Sequence, residues 1–232
     1  MDWLGVRFAP APRRQSEHAP DYAAALETLR RRALVYPCYC TRGQIVAAGQ
    51  GRDPDGAALH RGRCMAVSPG EREARQAWGE PANWRLDLEA ALACAPGRLV
   101  FREYREGDTG EEIVAAPQLW GDLLVGAKDR PAVYHLAVVV DDALQGVSDV
   151  VRGHDLEPST SVHRLLQALL DLPAPRYRHH RIVLGPDGRK LSKSANSPSL
   201  RDLRVQGIGA PEVRAALGFG GGGAGRLYVA LS

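Results

Sequence analysis

Lys190-Leu191-Ser192-Lys193-Ser194 places two ammonium groups and two hydroxyls within five residues, directly after the turn Gly185-Pro186-Asp187-Gly188. Proline presets φ at one turn position and glycine accepts the left-handed region at another, so a tight loop is expected. Cations gathered this way suit a polyphosphate, because ammonium-to-phosphate bonds are charge-assisted. The plain alternative is a solvated basic loop. The apolar run Arg181-Ile182-Val183-Leu184, expected as a strand leading into the turn, favours a phosphate site.

A second cluster is Cys38-Tyr39-Cys40 followed, after a polar and glycine-rich excursion, by His60-Arg61-Gly62-Arg63-Cys64. Zinc takes four soft or borderline ligands in a tetrahedron, and two short facing knuckles supply them. The spacing therefore predicts one structural zinc on Cys38, Cys40, His60 and Cys64, against the alternative of buried thiols and a surface histidine. Cys94 is expected to be a small buried hydrophobe. Asp141 and Asp142 could hold magnesium, but capping turns are commoner at strand ends, so the metal assignment stays with the zinc set.

Composition narrows the class. The chain has 232 residues, 44% hydrophobic and 25% charged, with a net charge of +3. These are globular values, and the mild charge permits an acidic partner without requiring one. No leader-like segment opens at Met1-Asp2-Trp3-Leu4, and no apolar run reaches membrane-spanning length. Four cysteines, three of them near one another, fit metal binding in a reducing compartment, hence a cytoplasmic protein.

The elements that position these residues can be sketched. Pro20, with Tyr22, Ala25, Leu26, Leu29 and Ala33, predicts an amphipathic helix, ended by Val35-Tyr36-Pro37. Arg30, Arg31 and Arg32 suit its C-terminal end as solvated cations. Trp78, Trp84, Leu86, Leu88 and Val100-Phe101 predict a packed subdomain of mixed structure; Gly107-Asp108-Thr109-Gly110 is a turn. Strands are expected at Gly121–Val125, Ala137–Asp142 and Val150–Leu156, the second as a buried parallel strand. Ser159 or Thr160 caps a helix whose apolar stripe is Val162, Leu165, Leu166, Leu169 and Leu170. A short helix from Pro211 to Leu217 precedes a glycine-rich tail. Gly218-x-Gly220-x-x-Gly223 lacks the strand and helix a dinucleotide site needs.

The loop Lys190–Ser194 resembles the KMSKS loop of class I aminoacyl-tRNA synthetases, with Leu191 for the usual Met. Together with Tyr134-His135-Leu136-Ala137-Val138-Val139-Val140-Asp141-Asp142, Arg152-Gly153-x-Asp155-Leu156 and the cysteine knuckles, it resembles the glutamyl-Q tRNA(Asp) synthetase family from Trp3 to about Phe219. His60 departs from the Tyr often found there. Arg-Gly-x-Asp-Leu, and the 38 residues after Ser194, suit this branch better than canonical glutamyl-tRNA synthetases, which carry a further anticodon-binding domain. Arg7-Phe8-Ala9-Pro10-Ala11-Pro12 looks like the family's opening motif, but no His-x-Gly-His follows, and the match is read as coincidence.

The resemblance implies an α/β fold: part of a Rossmann-like, doubly wound class I domain, with a zinc-binding insertion and a short helical C-terminal region. It divides the chain into a helical lead-in at 1–35, a zinc-binding and acceptor-type part at 36–117, the second catalytic half at 118–195, and a helical tail at 196–232. It implies a monomeric ligase, off the membrane, that activates L-glutamate with ATP and magnesium and transfers it to queuosine of tRNA(Asp). Tyr134 and Arg152 would bind glutamate; Lys190, Leu191, Ser192, Lys193 and Ser194 would bind ATP, with Lys190 and Lys193 serving catalysis. A guanidinium can clamp a carboxylate by two bonds while a phenol orients it. The absence of the first strand–turn–helix unit and of His-x-Gly-His implies a chain shortened at its start and inactive alone. Two other readings stand: a fragment of an ordinary glutamyl-tRNA synthetase, or a non-catalytic zinc-containing tRNA-binding protein.

Overall fold

The computed structural model describes residues 2–6, 13–62, 64, 66–104, 110–130, 133–185, 188–191 and 197–219. The chain divides into two compact units, one from Arg14 to His180 and one made of Met1–Arg13 with Arg181–Ser232.

The larger unit opens with helix α1, Ala19–Arg31, which buries Tyr22, Leu26 and Leu29 on one stripe, as the periodicity predicts. Its end is made differently from the expectation. Ala33 turns left-handed at φ 56°, and the Leu34 amide reaches back to the Leu29 carbonyl at 3.0 Å. The chain then passes at once into strand β1, Val35–Cys38, so Val35-Tyr36-Pro37 is strand. Proline is tolerated there because β1 lies at a sheet edge. The arginines at the helix end are not simply solvated. Arg30 lies over the Trp84 ring at 4.4 Å, and Arg32 donates to the Leu169 carbonyl.

Helix α2, Arg42–Ala47, starts from a capping box in which the Thr41 side chain accepts from the Gln44 amide. Helix α3, Pro69–Ala77, is capped likewise by Ser68 and Glu71. Strand β2, Asn83–Leu86, helix α4, Leu88–Cys94, and strands β3, Val100–Glu103, and β4, Glu111–Val114, follow. Strand β5, Leu124–Gly126, overlaps the expected Gly121–Val125 at Leu124 and Val125, starting three residues later. Then come helix α5, Tyr134–Leu144, strand β6, Asp149–Gly153, helix α6, Thr160–Leu169, and strand β7, Arg176–His180. One sheet is antiparallel, in the order β1-β2-β5; the other runs β4-β3-β7-β6, with β3, β7 and β6 mutually parallel and β4 antiparallel.

Further expectations are corrected. Ala137–Asp142 is not a strand but the body of α5, with Leu136, Ala137, Val139, Val140 and Asp141 buried. A helix embedded among α1, α6 and β5 is apolar on most sides, so its run of residues reads like a buried strand. Each valine forfeits roughly 0.5 kcal/mol of helix propensity, whereas burying one contributes roughly 1.5 kcal/mol or more. Burial wins. Asp141 and Asp142 accordingly lie on a helix, and Asp141 accepts from Tyr22 Oη at 2.8 Å and Gln15 Nε2 at 3.0 Å. Cys94 is exposed, because it falls on the outer side of the last turn of α4. Trp78 is 89% exposed; it follows α3 as its C-cap and takes no part in the packed subdomain. Trp84, Leu86, Leu88, Val100 and Phe101 behave as expected, with Leu86, Leu88 and Phe101 buried in the core.

In the smaller unit, Arg181–Leu184 is not a regular strand: β7 ends at His180, and a single bridge joins Leu184 to Lys190. Helix α7, Leu200–Val205, and helix α8, Ala210–Ala216, follow, the latter within a residue of its predicted bounds. Gly218, at φ 85°, ends it. Arg7–Pro12, Gly107–Thr109 and the glycine tail from Gly220 lie outside the described residues. Among the described residues, no helix is long and apolar enough to cross a membrane.

Candidate functional site

The cysteine knuckle is built by the end of β1 and the cap of α2. Cys38 closes the strand, Cys40 follows two residues on, and Thr41 fixes the departing helix. The Sγ atoms of Cys38, Cys40 and Cys64 lie within 4.8 Å of one another, all three buried and none in a disulfide. The Tyr39 amide donates to Cys64 Sγ at 3.2 Å. This bond and one from the Ala66 amide outweigh the opposing effect of burial and hold the Cys64 thiol below its usual range. Burial pushes Cys38 the other way, to about 12.

His60 adjoins the group through Cys38, with Nε2 3.4 Å from its Sγ. The opposite ring nitrogen, Nδ1, faces Tyr36 Oη at 3.2 Å and Asp122 at 3.8 Å. Tyr36 donates to Asp122 at 2.7 Å, and the Leu88 amide donates to the same carboxylate at 3.1 Å. Burial alone would raise the Asp122 pKa, but the bonds from His60, Leu88 and Tyr36 bring it below the ordinary carboxylate value. Three grouped thiols are ligands zinc uses, and a histidine backed by a carboxylate stands beside them, although His60 meets Cys38 alone and lies outside the group of three. The three thiols fit a metal; His60, the fourth predicted ligand, is near only one of them.

A second constellation gathers around Arg152, near the C-terminal end of β6. Its Nε donates to His179 Nε2 at 3.1 Å, Nη1 meets His163 Nδ1 at 3.1 Å, and Nη2 donates to Thr160 Oγ1 at 2.6 Å. The guanidinium also lies over the Tyr177 ring at 5.2 Å. Behind His179 stands Glu103, whose Oε1 is 3.0 Å from Nδ1. Beyond His163 stands His135, at 3.1 Å between Nε2 and Nδ1. Burial, with Arg152 adding to it, lowers His135 to about 4 and takes His163 well below its usual value.

Tyr134 is the first residue of α5, 44% exposed, and its ring packs edge-on against His163 at 5.6 Å. The two residues predicted to share a ligand thus both contact the His163 imidazole. Nothing in the motif reading pointed to Glu103, His135, His163 or His179. A period-two signal was there: Phe101 and Glu103 face inward along β3, as do Tyr177 and His179 along β7. Ser159, expected as a cap, instead donates to Asp55 at 2.9 Å.

In the smaller unit the loop after the apolar run is a tight hairpin. Gly185 N–H reaches the Arg189 carbonyl at 2.8 Å, Gly188 N–H returns to Gly185 at 3.0 Å, and Leu191 N–H reaches Val183 at 3.1 Å. Gly188, at φ 75°, supplies the left-handed position. Lys190 and Leu191 are exposed on its outgoing arm; Pro186, Asp187, Ser192, Lys193 and Ser194 lie outside the described residues.

The family model described as tRNA synthetases class I (E and Q), catalytic domain, matches residues 1–218. The chain belongs to this family. It is 35% identical to a glutamyl-Q tRNA(Asp) synthetase of Rhodobacter capsulatus, over 94% of this chain and 79% of that protein. It is 39% identical to one of Nocardia farcinica, over 94% of this chain and 64% of the relative. A glutamate–tRNA ligase of Parasynechococcus marenigrum is 32% identical over 92% of this chain, which spans 44% of that enzyme. Among solved structures, a glutamate tRNA ligase of Elizabethkingia meningosepticum in complex with its amino acid aligns with a TM-score of 0.59 at 21% identity. That alignment covers 89% of this chain and 41% of the ligase, and it supports the α/β class I fold.

Proposed function

We propose that the protein carrying this chain activates L-glutamate with ATP and transfers it to queuosine in tRNA(Asp). The observation that carries the reading is Arg152. Its guanidinium is held by neutral acceptors, and among the described residues no carboxylate is paired with it. Described residues use three of its five N–H groups, leaving one on each terminal nitrogen, the number a bidentate carboxylate takes. The half-exposed Tyr134 phenol stands nearby to orient the same ligand. The names of the relatives supply the amino acid and the tRNA.

In this reading a glutamate carboxylate oxygen attacks the α-phosphorus of ATP and pyrophosphate leaves, giving the acyl-adenylate. A hydroxyl of the queuosine ring then attacks the acyl carbon, and AMP departs with the ester formed. The protein acts by holding reactants in line and by neutralising charge. Lys190 and Lys193 would face the departing pyrophosphate, with Leu191, Ser192 and Ser194 shaping the loop around ATP and its magnesium. A zinc ion on Cys38, Cys40, His60 and Cys64 would be structural, ordering a polar excursion that has little core of its own. We take the protein to act as a monomer.

The test uses labelled glutamate, ATP and two RNAs: queuosine-containing tRNA(Asp) and tRNA(Glu). Label on tRNA(Asp), lost when the same tRNA carries guanosine at the wobble position, is the expected result. The similarity to a glutamate–tRNA ligase favours a second reading, in which label would appear on the acceptor end of tRNA(Glu). Retained tRNA binding without glutamate-dependent ATP–pyrophosphate exchange would overturn both in favour of a non-catalytic role.

A further inference from the structure

Arginine only donates, so every ring nitrogen that meets Arg152 must offer a lone pair. His179 Nε2 and His163 Nδ1 both meet it at 3.1 Å. His179 therefore carries its proton on Nδ1, where Glu103 Oε1 waits at 3.0 Å to accept it. His163 carries its proton on Nε2, which faces His135 Nδ1 at 3.1 Å. His135 Nδ1 is thereby an acceptor, and its own proton sits on Nε2. Thr160, which accepts from Nη2, has its hydroxyl 3.4 Å from His179 Nε2, consistent with a lone pair there. One donor-only group thus sets the tautomers of three imidazoles.

We propose that Glu103, His179 and His163 are positioning residues: they hold the Arg152 guanidinium in one orientation as a cationic clamp for the carboxylate of an amino-acid substrate. The identity of that substrate rests on the function proposed above; the tautomer chain does not. Glu103 is 4% exposed, with Oε2 buried and without a hydrogen-bond partner among the described residues. Its charge would be costly there without a cation. It finds one across a neutral ring rather than by direct contact. The negative charge balances Arg152 at one remove and leaves one N–H on each terminal nitrogen unengaged by the described residues.

A direct Glu103–Arg152 ion pair would instead quench the clamp. A protonated His179 would turn a donor toward a donor. Asp142 and Asp55 sense Arg152 electrostatically, yet neither is paired with it. His163 is buried on the inner stripe of α6, and burial keeps it neutral, as the acceptor role requires. Tyr177 closes the back of the cradle, its ring stacked on His179 at an interplanar angle of 4° and its hydroxyl accepting from Gln167 at 3.0 Å. Flipping either His179 or His163 would break two hydrogen bonds.

The direct test is long-range proton–nitrogen NMR on the whole chain labelled with 15N-histidine, signals being assigned by single substitutions. The expected pattern near neutral pH is His179 with Nδ1–H and both His163 and His135 with Nε2–H. An Nε2–H tautomer or an imidazolium at His179 would overturn the proposal. Calorimetric titration with L-glutamate supplies the second arm. His179→Leu, which removes the acceptor, should weaken binding at least about tenfold. His179→Gln, whose carbonyl can stand in for Nε2, should recover most of that loss. Equal binding by the Leu variant and the unaltered chain would also overturn it. If the Leu variant fails to fold, Glu103→Gln serves instead: the tautomer pattern should persist, because the amide oxygen still accepts from Nδ1. Loss of that pattern in Glu103→Gln would overturn the proposal, because Arg152 would then not fix the ring's tautomer. The expected tautomers together with no glutamate binding by the unaltered chain would uphold the cradle and refute only the substrate.

Discussion

Gly121 lies so close to His60 that a Cβ built on it would stand 2.5 Å from the His60 carbonyl oxygen. The contact is continuous with a hydrogen bond from the Asp122 amide to that same oxygen at 2.5 Å. The loop that delivers His60 to Cys38 is therefore clamped to the segment leading into β5. Gly121→Ala must push the two backbones apart. Overpacking of this kind costs about 1–3 kcal/mol. The expected outcome is a denaturation midpoint lowered accordingly, with reduced metal retention. Unchanged stability and metal content would show that the segments can part freely.

The thiol group predicts composition as well as geometry. Protein purified without added metal should carry about one equivalent of zinc by elemental analysis. Its removal by chelation should lower the thermal midpoint, because binding and folding are linked. The double variant Cys38→Ser, Cys64→Ser should lose the metal; unaltered zinc content in that variant would place the ion elsewhere.

Removing the clamp is a separate experiment from loosening its supports. Arg152→Ala should cost roughly 2–5 kcal/mol of productive glutamate binding, the range for truncating one member of a buried charged pair. It also leaves His163 and His179 without their donor, so stability should fall too. A full titration with L-glutamine alongside separates charge from shape: the unaltered protein should prefer glutamate. Equal affinity for both ligands would argue against a carboxylate clamp.

The buried histidines make stability depend on acidity. His135 titrates at about 4 in the folded chain because burial, and then Arg152, oppose its protonation. Its unfolded value is near 6.5, so the unfolded chain takes up the proton first. Stability is full above about 6.5, declines as pH falls, and levels off below about 4. The loss from this group is about 3 kcal/mol. His163 shifts in the same direction and steepens the decline. His135→Asn should flatten the profile between these limits; an identical profile would assign the dependence to other groups.

The grouping of three thiols was legible from types and spacing. Cys38, Cys40 and Cys64 come together because a strand end and a helix cap give neighbouring knuckle residues little freedom. The α1 stripe and the tail helix were legible for a similar reason, since a one-sided apolar face has a period the eye can count. The turn at Gly185–Arg189 was legible through glycine and proline, whose backbone limits are local.

What only tertiary structure decided is burial and the partners it imposes. The run Ala137–Val140 became helix because it is enclosed by α1, α6 and β5, and enclosure removes the polar face that would have shown its period. Cys94 and Trp78 came to the surface although residue type alone would place them inside. The Arg152 cradle draws Glu103 from β3, His163 from α6 and His179 from β7, residues far apart in the chain that meet because β3, β7 and β6 lie side by side. Spacing records local geometry. It carries no trace of a hydrogen bond between parallel strands, whose register is set by what lies between them in the fold.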